Sequence, residues 1–322
     1  MQAQLGVYHI EQDEFIPGNL LYADSDALKT TDGKTSSTIV GDVLAQGYNE
    51  GVGVNARFIY ICSFVQIMKD KVMVVDHGNN CTRLVDRHTR RTTPFVGQCT
   101  KSGYVDGPNA KFAHPLDAAR YKNNPSMILL ADLKNNAIRV INTDTKITHT
   151  LVRDDVIRDV RSILQHGYMN TFYISTKSGI FRYSIGDKKP TNLAGPSKSF
   201  FTDYSEGHFS HALFRKPSGM FLLNDTALLV ADSDNHRVRV LDLARNVTST
   251  VCNGDRRGNS VGFDGNKDEC SFGRPTTFCL FNDKLLIGQN YRIRQIEGKI
   301  EGVTGIMSCI PYSNFFGIIL VY

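Results

Sequence analysis

Short apolar runs separated by polar turns recur along this chain, and residues 220–251 show the pattern most clearly. Four runs rich in β-branched and aliphatic residues follow one another there: Met220–Leu223, Ala227–Ala231, Val238–Leu241 and Val247–Val251. Asn-Asp, Ser-Asp-Asn and Ala-Arg-Asn separate these runs, and such residues favour turns. Short apolar runs bounded by turn signals predict four consecutive β-strands.

The turn after the second run recurs at a nearly constant spacing. The segment Asp232-Ser-Asp-Asn235 repeats the earlier Asp132-Leu-Lys-Asn135 and Asp76-His-Gly-Asn79. A basic residue then closes each unit: Lys29, Arg83, Arg139, Arg182, Arg239 and Arg294. These residues are 54, 56, 43, 57 and 55 positions apart, so the chain contains six units, of which the fourth is short.

Six units of four strands predict an all-β fold, a six-bladed β-propeller in which each blade packs against its neighbours. We expect a single domain over residues 1–322, with blades near 1–42, 43–97, 98–152, 153–196, 197–253 and 254–305, and a ring-closing segment at 306–322. Gly6–Ile10 and Phe316–Tyr322 compete for the innermost strand of blade one. Because propellers commonly close with both chain ends, we expect the C-terminal segment to complete blade one.

A second marker, an acidic residue and glycine followed by phenylalanine, precedes four of the units. Its copies are Glu50-Gly51 with Phe58, Asp106-Gly107 with Phe112, Glu206-Gly207 with Phe214, and Asp264-Gly265 with Phe272. In three of them a proline follows three residues after the phenylalanine. With the repeat core at 230–240, these features make the chain from about Gly18 to Gly305 resemble the NHL-repeat β-propellers. The fourth unit departs from the pattern by losing the Asp-x-x-Asn turn, and the first lacks the Asn and Arg.

The resemblance implies a fold more strongly than a function. NHL-repeat proteins include RNA binders, protein-interaction modules, receptor ectodomains and a few enzymes, and one fold can carry many functions. The resemblance does not choose among these functions, so particular residues must indicate which one applies.

An aspartate ends the second predicted strand in four units, at Asp24, Asp76, Asp132 and Asp232. Its carboxylate can accept backbone N–H groups of the turn, and in all of these units but the first an arginine seven residues later lies on the adjacent strand within reach. Because the pair recurs while a catalytic pair is needed only once, we interpret it as structural. The four aspartates also lie on one loop face of the disc, where they are candidate ligand residues. They would bind calcium only if they lined the channel.

The opposite face of the disc collects basic residues from the turns between the third and fourth strands. The candidate anion-binding residues on this face are Arg87, Arg90, Arg91, Lys188 and Lys189. The net charge is +5 and the pI about 8.7, but the basic residues are spread over six turns without interleaved aromatic residues. This distribution argues against nucleic acid and favours an anionic protein partner.

Enzyme activity requires a site that the sequence does not display. The resemblance extends to an NHL-like amidating lyase whose zinc-binding histidines follow the prolines of the inner strands. Here Leu116, Ser218 and Thr276 occupy those positions, and His208 with His211 lacks a third ligand at a recognisable spacing. We therefore predict a non-catalytic binding or interaction module without a cofactor. The alternatives are a channel-site metal-dependent hydrolase or lyase and, third, an RNA-binding propeller.

The chain has seven cysteines, and disulfides form mainly in oxidising compartments, so we expect a secreted or cell-surface location rather than a cytoplasmic one. Cys81 with Cys99, and Cys252 with Cys270, are placed to form disulfides, with buried thiols as the alternative. There is no apolar run long enough for a complete membrane span, and residues 315–322 are read either as a last strand or as the start of an anchor in a longer chain. We expect a monomer.

Overall fold

The computed structural model describes residues 6–68, 70–196, 204–251, 270–290 and 292–296. Its strands form six antiparallel sheets, each a blade of a propeller, so the predicted all-β, six-bladed fold is confirmed. Helical structure in these ranges amounts to four three-residue 3-10 turns. Residues 306–322, the predicted ring-closing segment, lie outside the described residues.

The first three blades each contain four consecutive strands. Blade one contains β1 (Val7–Gln12), β2 (Leu20–Asp24), β3 (Ala27–Thr31) and β4 (Ser36–Gly41). Blade two contains β6 (Ile61–Met68), β7 (Lys71–Asp76), β8 (Cys81–Asp86) and β9 (Arg91–Val96), with the short β5 (Gly51–Val52) paired to its outer strand. Blade three contains β10 (Pro115–Arg120), β11 (Met127–Asp132), β12 (Ala137–Asn142) and β13 (Thr148–Arg153).

The last three blades follow the same order. Blade four contains β14 (Ser162–Gln165), β15 (Thr171–Ser175), β16 (Ile180–Ser184) and β17 (Thr191–Ala194). Blade five contains β19 (Pro217–Asn224), β20 (Ala227–Asp232), β21 (Arg237–Asp242) and β22 (Val247–Thr250), with β18 (Gly207–His208) on its outer edge. The described strands of blade six are β23 (Pro275–Phe281), β24 (Lys284–Gln289) and β25 (Arg292–Ile296).

The hydrophobic core is divided into six clusters, each lying between two neighbouring blades. Between blades two and three, for example, Met73 and Val75 of β7 pack against Ala118 of β10 and Leu130 of β11. A single four-stranded sheet leaves its apolar faces exposed, so each blade gains stability only by burying them against the next one. The continuous ring of clusters explains why the apolar runs repeat in every unit.

The ring closes between blades six and one, and the N-terminal segment provides the inner strand. β1 pairs antiparallel with β2 from Val7 opposite Asp24 to Gln12 opposite Leu20. Val7 and Ile10 pack against Leu286 and other residues of blade six. Of the two segments that competed for the innermost position of blade one, β1 occupies it. The expectation that the C-terminal segment completes blade one falls on residues outside the described ranges and stays a prediction.

The inner strands β1, β6, β10, β19 and β23 share a bulge near their first residues. A bulge leaves an extra residue unpaired and redirects its side chain. In blades one, two and three the extra residue is Tyr8, Cys62 or Leu116, and each of these lines the central channel. The inner strand of blade four, β14, pairs with β15 without a register shift.

Candidate functional site

The recurring aspartate and arginine form a buried ion pair in three blades. In blade three, Nη1 of Arg139 donates to Oδ2 of Asp132 at 2.8 Å, and both side chains are fully buried. The equivalent pairs are Asp76–Arg83 at 3.3 Å in blade two and Asp232–Arg239 at 3.2 Å in blade five. Burial raises the pKa of Asp232 to about 6, although Arg239 acts in the opposite direction.

These pairs hold the loop that leads into their own blade. The backbone N–H of Ala113 donates to Oδ1 of Asp132 at 2.8 Å, and Nδ2 of Asn135 donates both to Asp132 and to the carbonyl of Gly103. Nη1 of Arg139 reaches the carbonyl of Lys111. The buried carboxylate thus satisfies backbone and side-chain donors that would otherwise lack partners. This geometry assigns the pair an architectural role in the blade.

Two aromatic rings enclose each of these guanidinium groups, an arrangement that the sequence analysis missed. The guanidinium carbon of Arg139 lies 4.9 Å from the ring centre of Tyr104 and 5.2 Å from that of Phe112. The same sandwich forms at Arg83 with Tyr48 and Phe58, and at Arg239 with Tyr204 and Phe214. A tyrosine two residues before three of the four acidic-Gly pairs, at Tyr48, Tyr104 and Tyr204, was the available sequence signal.

The fourth candidate aspartate, Asp24, has a different partner. Its Oδ2 accepts a hydrogen bond from Nζ of Lys29 at 2.6 Å at a partly exposed position. Each of the four aspartates lies in a different blade, and the channel lining contains none of them: Asp24, Asp76, Asp132 and Asp232. The structure does not bring them together at the channel.

Arg87, one of the candidate anion-binding residues, is buried. Its guanidinium donates to both carboxylate oxygens of Asp13, at 2.7 Å for the Nη2–Oδ2 pair, and lies 4.8 Å from the ring centre of Phe15. Arg87 and the backbone amides of Phe15 and Ile16 lower the pKa of Asp13, whereas burial alone would raise it. Arg87 thus joins blade two to the first turn of blade one and presents no free charge.

The other basic candidates lie at the surface. Arg90 is exposed but donates to the carbonyls of Thr38 and Ile39 in blade one. Arg91, Lys188 and Lys189 are exposed, and none of them forms an ion pair within the described ranges. Arg91 belongs to blade two and the two lysines to blade four, so the three do not form one compact patch.

The inner strands surround a central channel with a cavity volume of about 390 Å³. Residues from all six of them line it. Its wall combines apolar residues such as Leu116, Ile163 and Met220 with polar ones such as Ser218 and Thr276. This volume has room for about a dozen water molecules at roughly 30 Å³ each.

One mouth of the channel is formed where the inner strands begin. The residues that immediately precede those strands are Gly6, Tyr60, His114, Arg161, Lys216 and Arg274. Arg161 and His114 occupy equivalent positions in their blades. The residue after each begins the inner strand and pairs with the last residue of the second strand: Ser162 with Ser175, and Pro115 with Asp132. We call these six residues the arginine mouth.

The positive charges of the arginine mouth are only partly neutralised. Asp234 accepts from Nζ of Lys216 at 2.7 Å and lies 3.2 Å from Nε of Arg274, so one carboxylate serves two cations. Arg161 has no ion pair with any described residue, and its buried Nε has no hydrogen-bond partner there. Burial also lowers the pKa of Arg161, although the group remains a cation.

The other end of the channel carries acidic residues. Glu11 accepts from Nε2 of His9 and from Nε2 of Gln66, and Glu14 pairs with Arg120 at 2.9 Å. Burial lowers the pKa of His9, but the bond to Glu11 outweighs that effect and the net pKa is raised. The channel therefore runs from a cationic mouth to an end where carboxylates balance the cations.

A serine, a histidine and a carboxylate lie in series beside the channel. Nδ1 of His9 is 3.3 Å from Oγ of Ser63, and its Nε2 is 3.3 Å from Oε1 of Glu11. Such a series resembles the order of groups in nucleophilic catalysis. However, Ser63 is fully buried and its hydroxyl donates to Asp117 at 2.9 Å. In this arrangement the serine cannot reach a substrate in the channel, and the bonds instead join the inner strands of blades one to three.

The described residues contain no group of three or more His, Cys, Asp or Glu side chains placed to hold a metal ion. Within the same ranges, no helix is long and apolar enough to cross a membrane.

The cysteines form disulfides as well as free thiols. Cys81 and Cys99 are joined in a disulfide, as the sequence suggested. Cys270 is also disulfide-bonded, and Cys252 lies outside the described residues. Cys62 and Cys279 are free, and burial raises the pKa of the Cys62 thiol, so it stays neutral.

Comparison with known proteins defines the class of the fold. No protein-family model matches the sequence, and no curated protein matches it. An auxiliary nutrient binding protein from Bacteroides thetaiotaomicron VPI-5482 superposes with a TM-score of 0.65, at 14% identity, over 88% of this chain and 67% of that chain. An auxiliary nutrient binding protein from Bacteroides ovatus ATCC 8483 gives 0.63 at 15% identity over 87% and 66%.

A chain of the nidogen/laminin complex is a further neighbour, with a TM-score of 0.53 at 12% identity over 84% of both chains. This chain spans about two thirds of the length of the two nutrient binding proteins. At these identities the likeness establishes the fold, and the protein is a β-propeller.

Proposed function

We propose that this protein is a non-catalytic binding module on an NHL-type propeller, and that it takes a small molecule into its central channel. The NHL assignment is supported by the Asp–Asn–Arg geometry that recurs in blades two, three and five. The observation that carries the function is the cavity of about 390 Å³ lined by all six inner strands. Ligand pockets usually measure about 300–1,000 Å³ and combine apolar walls with a few polar groups.

Two further observations support this proposal. Two of the structures similar to this chain are auxiliary nutrient binding proteins. In addition, the serine beside the channel is buried and already bonded, which favours binding over nucleophilic chemistry.

We also propose that the protein works outside the cytosol, in a secreted or surface-exposed setting. The disulfide between Cys81 and Cys99 and the disulfide-bonded Cys270 support this location, because disulfides persist mainly in oxidising compartments.

The experiment is a binding screen with the purified full chain. A library of small metabolites would be tested by thermal shift and then by calorimetry, since a ligand that binds the folded state raises the melting temperature. Leu116 lines the channel, so the larger side chain of Leu116→Trp should occupy part of the cavity and abolish binding. Leu44→Trp is the matched control, because Leu44 is 85% exposed far from the channel lining. Equal binding by both variants would contradict a channel site.

A second candidate function, docking of an acidic protein, is supported by the turns of blade four. Tyr168, Met169 and Ile185 are exposed there, at 78%, 56% and 47%, beside the unpaired Lys188 and Lys189. Exposed aromatic and apolar side chains next to free cations suit an interface with a negatively charged partner.

This docking surface can be tested with acidic peptides that each carry one aromatic residue, using fluorescence anisotropy. Reversing both Lys188 and Lys189 to Glu should abolish binding, whereas the double reversal of the exposed Lys34 and Lys101 should preserve it. If the two double variants bind alike, blade four is not the docking surface.

A further inference from the structure

Arg161 differs from Arg120 and Arg274, the other two described arginines that line the channel, because each of those forms an ion pair, with Glu14 and Asp234 respectively. The repeat arginines of blades two, three and five each have a carboxylate, and Arg274 shares Asp234 with Lys216. Arg161 lines the channel, has a buried Nε without a hydrogen-bond partner, and forms no ion pair within the described ranges. Asp234 and Asp159 act on Arg161 from beyond ion-pair distance, so among the described residues its guanidinium has no directly bonded carboxylate. Removing a cation from water without such a partner is costly, and an anionic ligand would supply one.

The surroundings of Arg161 favour an anion at this position. Lys216, Arg274 and Arg161 carry three positive charges at the arginine mouth, and Asp234 supplies one negative charge. The nearby Asp159 is paired with Lys134 at 2.8 Å, so that pair leaves the balance unchanged. Burial raises the pKa of the nearby Tyr8 and Cys62, so both channel side chains stay neutral and do not repel an anion.

The polarity of the channel fixes the direction in which such a ligand would lie. Glu11 and Glu14 line the far end, whereas Arg161 and Arg274 line the mouth. An anionic head is attracted to the mouth, where cations are in excess, and not to the far end, where Arg120 and Lys122 offset Glu11 and Glu14. The wall between the ends includes Ile163, Met220 and Phe278, which can contact an apolar body.

We propose that the arginine mouth binds the carboxylate of a small organic acid, with Arg161 as the principal donor and the apolar part of the acid inside the channel. A guanidinium group offers a planar fork of N–H donors that matches a carboxylate. Asp234 beside Arg274 disfavours a doubly charged phosphate. The inference rests on the proposed small-molecule function and names its ligand class.

The test uses hexanoate, its neutral analogue hexanamide, and inorganic phosphate, titrated by calorimetry into the intact chain. Hexanoate should bind at least about tenfold more tightly than hexanamide, since a charge-assisted hydrogen bond adds that much affinity. Arg161→Gln should remove this preference. Arg182→Gln is the control, because Arg182 is exposed on the same blade.

Each outcome decides the proposal. Equal binding of acid and amide, binding of phosphate alone, or unchanged hexanoate binding by Arg161→Gln would overturn it. Arg161→Lys, which keeps the charge without the fork, should bind hexanoate with intermediate affinity. If neither Arg161 variant folds, the acid-to-amide ratio of the unmodified chain decides alone. If neutral metabolites bind in the screen and Leu116→Trp blocks them while hexanoate does not bind, the carboxylate assignment fails and the binding function stands.

Discussion

Arg139 and Asp132, seven residues apart on adjacent strands of blade three, form an ion pair at 2.8 Å in which both side chains are fully buried. The aspartate accepts from the entry loop and from Asn135, and the guanidinium lies between Tyr104 and Phe112. One cluster therefore joins two strands and the entry loop. Because the cluster recurs in three blades, it explains how the sequence repeat produces a repeated structure.

Arg139→Leu should strongly destabilise the protein. The substitution leaves the Asp132 carboxylate buried without its cation, and breaking a buried pair in this way costs about 3–5 kcal/mol. The measurement is urea unfolding followed by circular dichroism. Arg182→Leu is the matched control, since Arg182 occupies the equivalent position in blade four but is exposed. A similar loss of stability in both variants would contradict the role of burial.

Tyr104→Leu should also lower the free energy of unfolding, by about 1–2 kcal/mol. The guanidinium groups of Arg139 and Arg153 lie 4.9 and 4.1 Å from its ring centre, and its hydroxyl bonds to Thr150 at 2.8 Å. Tyr168→Leu, at a position that is 78% exposed, should change stability by less than about 0.5 kcal/mol. If Tyr104→Leu and Tyr168→Leu lowered the free energy of unfolding equally, the cation–π sandwich would contribute little to stability.

The sequence predicted the blades because the repeat is encoded locally. Apolar runs, the Asp-x-x-Asn turn and the arginine seven residues after the aspartate all lie within one unit, so their spacing is visible in the chain. The same locality explains why the aspartate–arginine pair was interpreted as structural before its geometry was known.

Long-range contacts limited the prediction of the site. Arg87 looked like a surface cation, but its partner Asp13 lies 74 residues away in another blade. The sequence does not identify Arg161 as a channel residue, because blade four has lost the repeat markers that identify the equivalent positions in other blades. The apolar residues 316–322 suggested a closing strand, but only the pairing of Val7 with Asp24 identifies the inner strand of blade one. Each of these facts depends on which blades meet, and the repeat does not encode that.

His77 should make stability depend on pH. Burial lowers its pKa to about 4, and the nearby His114, Arg161 and Lys134 act in the same direction, while Nδ1–H donates to the carbonyl of Pro115. The unfolded chain binds this proton near pH 6.5 and the folded chain near pH 4, so the stability that neutral His77 provides is lost as pH falls between these values.

The measurement for His77 compares the free energy of unfolding of the native chain and of His77→Gln from pH 7 to pH 4. The difference between them should shrink as the pH falls, by up to about 3 kcal/mol. His88→Gln, at an exposed position, provides the control. A difference that stays constant over this range would mean that His77 titrates alike in both states.

Arg87→Met should lower the stability of the protein and should not change the binding of acidic peptides to the turns between the third and fourth strands. It leaves the Asp13 carboxylate, which is 1% exposed, without its cation, and the expected loss is about 3–5 kcal/mol. Arg91→Met, four residues later at an exposed position, should leave stability within about 0.5 kcal/mol. Both variants would be compared by urea unfolding and by anisotropy with the acidic peptides. If Arg87→Met kept full stability but lost peptide binding, Arg87 would be a docking residue, and the buried pair with Asp13 would not be its main role.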